Sequence, residues 1–132
     1  MERQKKVVDA SIAVKWFTNE GDTNKALKIR DAHINGEIVI IVPDLIFLEA
    51  LNALKYKKLK KESLNNVNEN LWDLQLHVEK MNTYILDKAI SISLEYDLTL
   101  YDSMYAAIAQ LHGCQLITAD EKLKKFPSAI SL

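Results

Sequence analysis

The order of hydrophobic patterns along the chain predicts a layered α/β domain built on a mostly parallel sheet. Short apolar runs suited to strands alternate with segments whose apolar residues recur at helical spacing. The 132 residues are enough for one hydrophobic core, so a single domain spanning 1–132 is expected. A hydrophobic fraction of 48% beside 27% charged residues is that of an ordinary folded protein, which excludes a disordered or fibrous chain.

The first strand is expected over Lys5–Asp9, where Val7-Val8 is closed by an acid. The second covers Glu37–Val42 and holds the longest apolar run, Ile38–Val42. After Pro43, a helix over Asp44–Lys58 leads to another near Glu62–Leu76, with Leu64, Val67, Leu71 and Leu74 in register. These two should form a helical hairpin. A third strand follows at His77–Lys80, then a helix over Thr83–Tyr96 with Ile85, Ala89, Ile92 and Tyr96 on one side and Thr83 placed to cap it. The helix Tyr101–His112 sets Met104, Ala107, Ile108 and Leu111 on one buried face and stops at Gly113. Strands at Gln115–Thr118 and near Ala129–Leu132 complete the order.

Lys plus Arg number 17 against 18 Asp plus Glu, a net charge of -1, so no overall positive field draws the chain onto nucleic acid. Any such affinity must be local. The single cysteine, Cys114, excludes an internal disulfide and a zinc site of several thiolates, which points to a cytoplasmic protein. The apolar stretch after the basic start is cut at Asp9, too early for a signal-peptide core. Nothing approaches the roughly 20 apolar residues that span a bilayer, so no membrane partner is expected.

In an open parallel sheet, ligands bind beyond the carboxyl ends of the strands. Asp9 and Asp120 close the first and fourth strands and should face the same rim. Asp102 opens a helix that runs back from that end, so three acids are expected together. Any one of them alone reads better as a helix cap, since Asp there accepts backbone hydrogen bonds and suits the helix dipole. Glu49 differs: it lies within Leu45-Ile46-Phe47-Leu48-Glu49-Ala50-Leu51, apolar on nearly every side, with no basic residue within one turn. An unpaired carboxylate buried there would be costly, which favours function over a structural salt bridge. Two carboxylates about 4 Å apart repel by about 4 kcal/mol at an effective dielectric of about 20, so such a cluster needs protons or a cation. All-oxygen ligation favours Mg²⁺ or Mn²⁺ over zinc, and His33, His77 and His112 show no ligand spacing and read as structural or solvated. Carboxylates around a hard cation, with positions open to water and phosphate oxygens, are the apparatus of phosphodiester hydrolysis.

Four segments, in order, carry a resemblance: Val7-Val8-Asp9-Ala10-Ser11 with Val14-Lys15-Trp16-Phe17, Pro43 through Glu49 to Asn52 and Leu54, Tyr101-Asp102-Ser103 into Tyr105-Ala106-Ala107-Ile108-Ala109, and Leu116-Ile117-Thr118-Ala119-Asp120. On these the chain resembles the PIN-domain ribonucleases over nearly its whole length, most closely the VapC-type toxins of prokaryotic toxin-antitoxin pairs. The resemblance implies a three-layer α/β/α fold with a central, mostly parallel sheet of four to five strands. It implies that Asp9, Glu49, Asp102 and Asp120 form an acidic metal site, with Asp9 and Asp102 its firmest ligands. Ser11 and Thr118 would hydrogen-bond around it, and Asn52 stands one helical turn from Glu49. The implied reaction is Mg²⁺- or Mn²⁺-dependent endonucleolytic cleavage of RNA without a covalent enzyme intermediate. Some relatives carry a further acid just after the last of these; here Glu121 and Lys122 follow Asp120, which favours one ion.

A homodimer and an antitoxin covering the active-site groove are likewise implied by the resemblance. Trp16, Phe17 and Phe47 could serve such contacts or the core. Lys15 is a phosphate candidate, and the run Lys55, Lys57, Lys58, Lys60 and Lys61 either meets RNA phosphates or is a solvated helix end. A phosphoryl-accepting receiver would need paired acids at the first strand, and a haloacid-dehalogenase phosphatase would need Asp-x-Asp where this chain has Asp9-Ala10-Ser11. The remaining rivals are a PIN nuclease of RNA processing or decay outside a toxin pair, and a binding module without a metal.

Overall fold

The computed structural model describes residues 3–132. Strands β1 (Gln4–Val8), β2 (Ile38–Pro43), β3 (His77–Glu79), β4 (Gln115–Ile117) and β5 (Ala129–Ile130) form one sheet in the order β3-β2-β1-β4-β5. Every described pairing is parallel, with Val7 beside Ile41 on one side and Leu116 on the other. The helices are α1 (Ala10–Lys15), α2 (Thr23–Ile34), α3 (Leu45–Tyr56), α4 (Lys61–Asp73), α5 (Thr83–Tyr96) and α6 (Leu100–His112). Parallel neighbours require crossovers, and right-handed crossovers fix the layers. The steps β1 to β2 to β3 run one way and put α1 to α4 on one face; the return past β1 to β4 puts α5 and α6 on the other. α6 packs on β1, β2, β4 and α5, while α1 packs on α3 and α3 on α4. The result is a three-layer α/β/α fold with a five-stranded parallel sheet. Covered on both faces, Val7, Val8, Ile40, Ile41, Val42, Leu116 and Ile117 are all buried, which is why these strands read as continuous apolar runs.

Most strands and helices fall within a residue or two of their expected bounds, and the differences have local causes. β1 ends at Val8 because Asp9 turns to cap α1, its side chain accepting from the Ile12 amide. Apolar spacing singles out no helix between the first two strands, yet α1 and α2 fill that stretch. α1 has only six residues, under two turns, and α2 buries only Ala26 outright, so neither shows a periodic apolar stripe. α5 is capped by Asn82, not Thr83: the Asn82 carboxamide oxygen accepts from the Ile85 amide at 2.9 Å. α6 has no single buried face. Squeezed between the sheet and α5, it is buried on every side from Ser103 to Ala109, whereas Leu111 is exposed. Gly113 ends it in the left-handed region, at φ 59°, as its sequence position suggests.

The α3–α4 hairpin is present, with Val67 and Leu71 buried and Phe47 stacked on Trp72 at 3.9 Å between ring centroids. Trp16 is buried and donates to the Ala26 carbonyl at 2.9 Å, tying α1 to α2. Both aromatics are therefore packing residues. β1 lies between β2 and β4, whose crossovers leave on opposite faces, so a crevice opens beyond the carboxyl end of β1. Asp9 stands there.

Candidate functional site

Asp9 is buried, with 4% of its surface exposed, and both of its carboxylate oxygens are held. Oδ1 accepts from the Ser11 hydroxyl at 2.5 Å and the Ile12 amide at 3.3 Å; Oδ2 accepts from the Thr118 hydroxyl at 2.5 Å. Each hydroxyl is aimed by the loop after β4, Ser11 accepting from the Ala119 amide and Thr118 from the Asp120 amide, both at 2.9 Å. The β1 and β4 ends are thereby locked together, with the Asp9 amide donating to the Ile117 carbonyl at 3.3 Å. A carboxylate has about four acceptor sites. Oδ1 has filled two, and Oδ2 keeps one for a further partner.

Burial pushes the Asp9 carboxyl above its ordinary pKa; the Ser11, Thr118 and Ile12 donors pull it back, and the charge of Asp102 adds to the rise. Glu49, half-buried on α3, pairs with no basic side chain among the described residues. Its Oε1 instead accepts from the Tyr105 hydroxyl of α6 at 2.6 Å, across the end of the sheet. Desolvation raises its pKa against that hydrogen bond, and the charges of Asp102 and Asp9 raise it further. Asp102 occupies the first turn of α6, where its amide donates to the hydroxyl of the cap residue Thr99 at 3.0 Å. Its pKa is raised by burial and then by the charge of Asp120, against the Thr99 hydroxyl and Lys122. Asp120 accepts from the Lys122 amide at 2.9 Å, a turn that fixes its side chain beside the loop.

Charge therefore couples the four carboxylates in a chain, Asp120 to Asp102, Asp102 to Asp9, and both Asp102 and Asp9 to Glu49. Among the described residues, no group of three or more His, Cys, Asp or Glu side chains is arranged so that it could hold a metal ion as it stands. The acids are neighbours that repel one another, not a closed ligand shell. In chemistry they still suit a hard cation: the donors are carboxylate and hydroxyl oxygens, three of the carboxyls are raised by burial and mutual charge, and Asp9 Oδ2 retains a vacant acceptor position.

The other expected site residues divide. Ser11 and Thr118 clasp Asp9. Asn52 is exposed and lines a separate groove with Leu48, Leu51, Lys55, Leu64 and Asn68 between α3 and α4. Lys15 is committed to ion pairs with Asp22 at 2.9 Å and Glu20 at 3.0 Å. The histidines have polar neighbours elsewhere: His33 accepts from the Ile40 amide and meets the Leu74 carbonyl, and His112 meets Glu79 at 2.7 Å. A cavity of about 850 Å³ lined by Arg3, Phe17, Arg30, His33 and Leu74 includes none of the four acids. Chemistry, not size, locates the site.

The sequence assigns no role at the site to Tyr105, which only falls within a segment of the resemblance, or to Thr99, though signals for both are present. Tyr105 follows Asp102 by three residues on one helix and so shares its face. Thr99-Leu100-Tyr101-Asp102 has the spacing of a helix-capping box.

A sequence profile described as the PIN domain matches residues 6–128. Over 134 aligned residues, covering 96% of this chain and 98% of the relative, the chain is 28% identical to Ribonuclease VapC3 of Pyrobaculum aerophilum. A crystal structure of a Pyrobaculum aerophilum protein matches with a TM-score of 0.72 at 25% identity, over 97% of this chain and 83% of the other. A toxin-antitoxin complex from Klebsiella pneumoniae shares the fold, with a TM-score of 0.71 at 18% identity over 95% of each chain. Among the described residues, no helix is long and apolar enough to cross a membrane.

Proposed function

The chain belongs to the PIN-domain family and is closely related to the VapC-type toxins, and from that premise we propose that it is a Mg²⁺- or Mn²⁺-dependent endoribonuclease, the toxin of a toxin-antitoxin pair. The observation that carries the reading is Asp9, seated at the switch point of the sheet, clasped by two hydroxyls and coupled to Asp102 and Glu49. Asp9 and Asp102 would hold the ion, with Glu49 and Asp120 completing the acidic rim. When bound, such an ion supplies positive charge for a phosphate oxygen and acidifies a water.

The chain's own groups set the rest. Ser11 and Thr118 donate to Asp9 from fixed backbone anchors, so its free lone pair points in one direction. Tyr105 fixes Glu49 by Oε1 and leaves Oε2 as the atom able to take a proton from an attacking water. Ser11 donates to Asp9 and accepts from the Ala119 amide, which holds its hydroxyl as a positioning group beside the carboxylate. The toxin-antitoxin complex from Klebsiella pneumoniae, whose fold this chain shares, supports an antitoxin partner and a cytoplasmic setting. A homodimer belongs to the same reading, as an expectation from the family.

The test is cleavage of single-stranded RNA by the purified chain with Mn²⁺, Mg²⁺ or chelator. Cleavage that requires metal and is lost in Asp9→Asn is expected. Equal cleavage by Asp9→Asn, or none under any condition, overturns the proposal.

A further inference from the structure

A groove of about 400 Å³ between α1 and α3 has Ser11 and Glu49 of the acidic site in its walls, together with Lys15, Glu20 and Lys57. Glu20, in the loop after α1, spans the two lysines: its Oε2 lies 3.0 Å from Lys15 Nζ and its Oε1 lies 3.5 Å from Lys57 Nζ. We propose that Glu20 stands, in the RNA-free chain, where a backbone phosphate of the substrate strand binds, and that Lys15 and Lys57 form that phosphate subsite. The inference rests on the ribonuclease reading above.

Three observations carry it. The first is geometric, because a carboxylate that offers one oxygen to each of two ammonium groups imitates two oxygens of a phosphate. The second is placement. Lys15 ends the helix that Asp9 begins, and Lys57 lies about two turns beyond Glu49 at the end of α3, so the pair flanks the acidic rim along the groove. The third is electrostatic: a polyanion must approach carboxylates that already repel one another, and among the described groove residues Lys15 and Lys57 are the cations able to offset that. Glu20 neutralises them while no strand is bound. Displacing it is easy, since its side chain is 34% exposed and can turn into water, while Lys15, only 13% exposed, is kept in place by Asp22. Exposed pairs such as Lys57–Glu20 add little to stability, so their exchange for a phosphate pair costs the fold little. Glu20 thus acts as a brake on RNA affinity.

The experiment measures KM and kcat for Mn²⁺-dependent cleavage of a labelled single-stranded RNA, and the metal-free Kd of the same RNA by anisotropy across salt concentrations. Glu20→Gln should lower KM and Kd about two- to fivefold, the reach of an exposed ion pair. Lys57→Ala should raise both and flatten the slope of log Kd against log salt by about 0.7, and Lys57→Arg should restore it. Lys28→Ala, removing an exposed charge of α2 outside the groove, is the control. The proposal is overturned if Glu20→Gln leaves KM and Kd unchanged with its melting temperature intact, or if Lys57→Ala behaves as Lys28→Ala. Absence of cleavage by the unaltered chain would count against the ribonuclease reading, while the binding arm still decides the subsite.

Discussion

Asp9 does two jobs with one side chain. It caps α1 through Ile12, as any aspartate at a helix start would, and it presents its remaining lone pair to the crevice. The capping role was the simpler reading from sequence, and the structure shows that the two roles coexist, because the cap uses Oδ1 while Oδ2 faces Thr118. The raised pKa values of Asp9, Glu49 and Asp102 carry a definite sign. Each group binds its proton more tightly folded than unfolded, so between the ordinary carboxylate range and the raised values the native state holds more protons. Stability then falls as pH rises through that window and is regained below it. Metal-free Asp9→Asn should be as stable as the unaltered chain at neutral pH or slightly more so, and should lose part of this dependence. Thermal unfolding in chelator from mildly acidic to neutral pH checks it; an unchanged pH slope would contradict the assigned burial of charge.

At the scale of the element, helix ends explain most of what sequence located and what it displaced. The start of α5 was legible to one residue, but choosing between adjacent Asn82 and Thr83 needs the backbone: Asn82 is extended, at φ -151°, and Thr83 is already helical. Asn82→Ala should therefore cost about 1 kcal/mol, and Thr83→Ala only a few tenths, in urea-unfolding stability. The reverse order would restore Thr83 as the cap. α6 shows a deeper limit. Its apolar spacing marks one face, yet Ala106 and Ala109 are fully buried on the others because α5 lies against it. Small residues read as neutral in a sequence, and only a neighbouring helix makes them core.

Across the whole molecule, acids spread from residue 9 to residue 120 come to feel one another's charge because β1 lies between β2, which leads into α3 with Glu49, and β4, while α6 begins at the same end. Binding to the folded form alone stabilises it, by about 2.7 kcal/mol when free ligand is a hundredfold above Kd. Millimolar Mn²⁺ should therefore raise the melting temperature of the isolated chain, and Asp9→Asn should abolish the shift, as read by differential scanning calorimetry. An equal shift in both would place the ion elsewhere. The sequence by itself determined the alternation of strand and helix, the parallel sheet and the anionic residues at its rim, because periodicity and strand-end position are local properties of the chain. The tertiary structure alone decided that Tyr105 holds Glu49, that Glu20 occupies Lys15 and Lys57, and how the carboxylates couple. Those depend on distances between residues remote in sequence, which packing sets and no local pattern encodes.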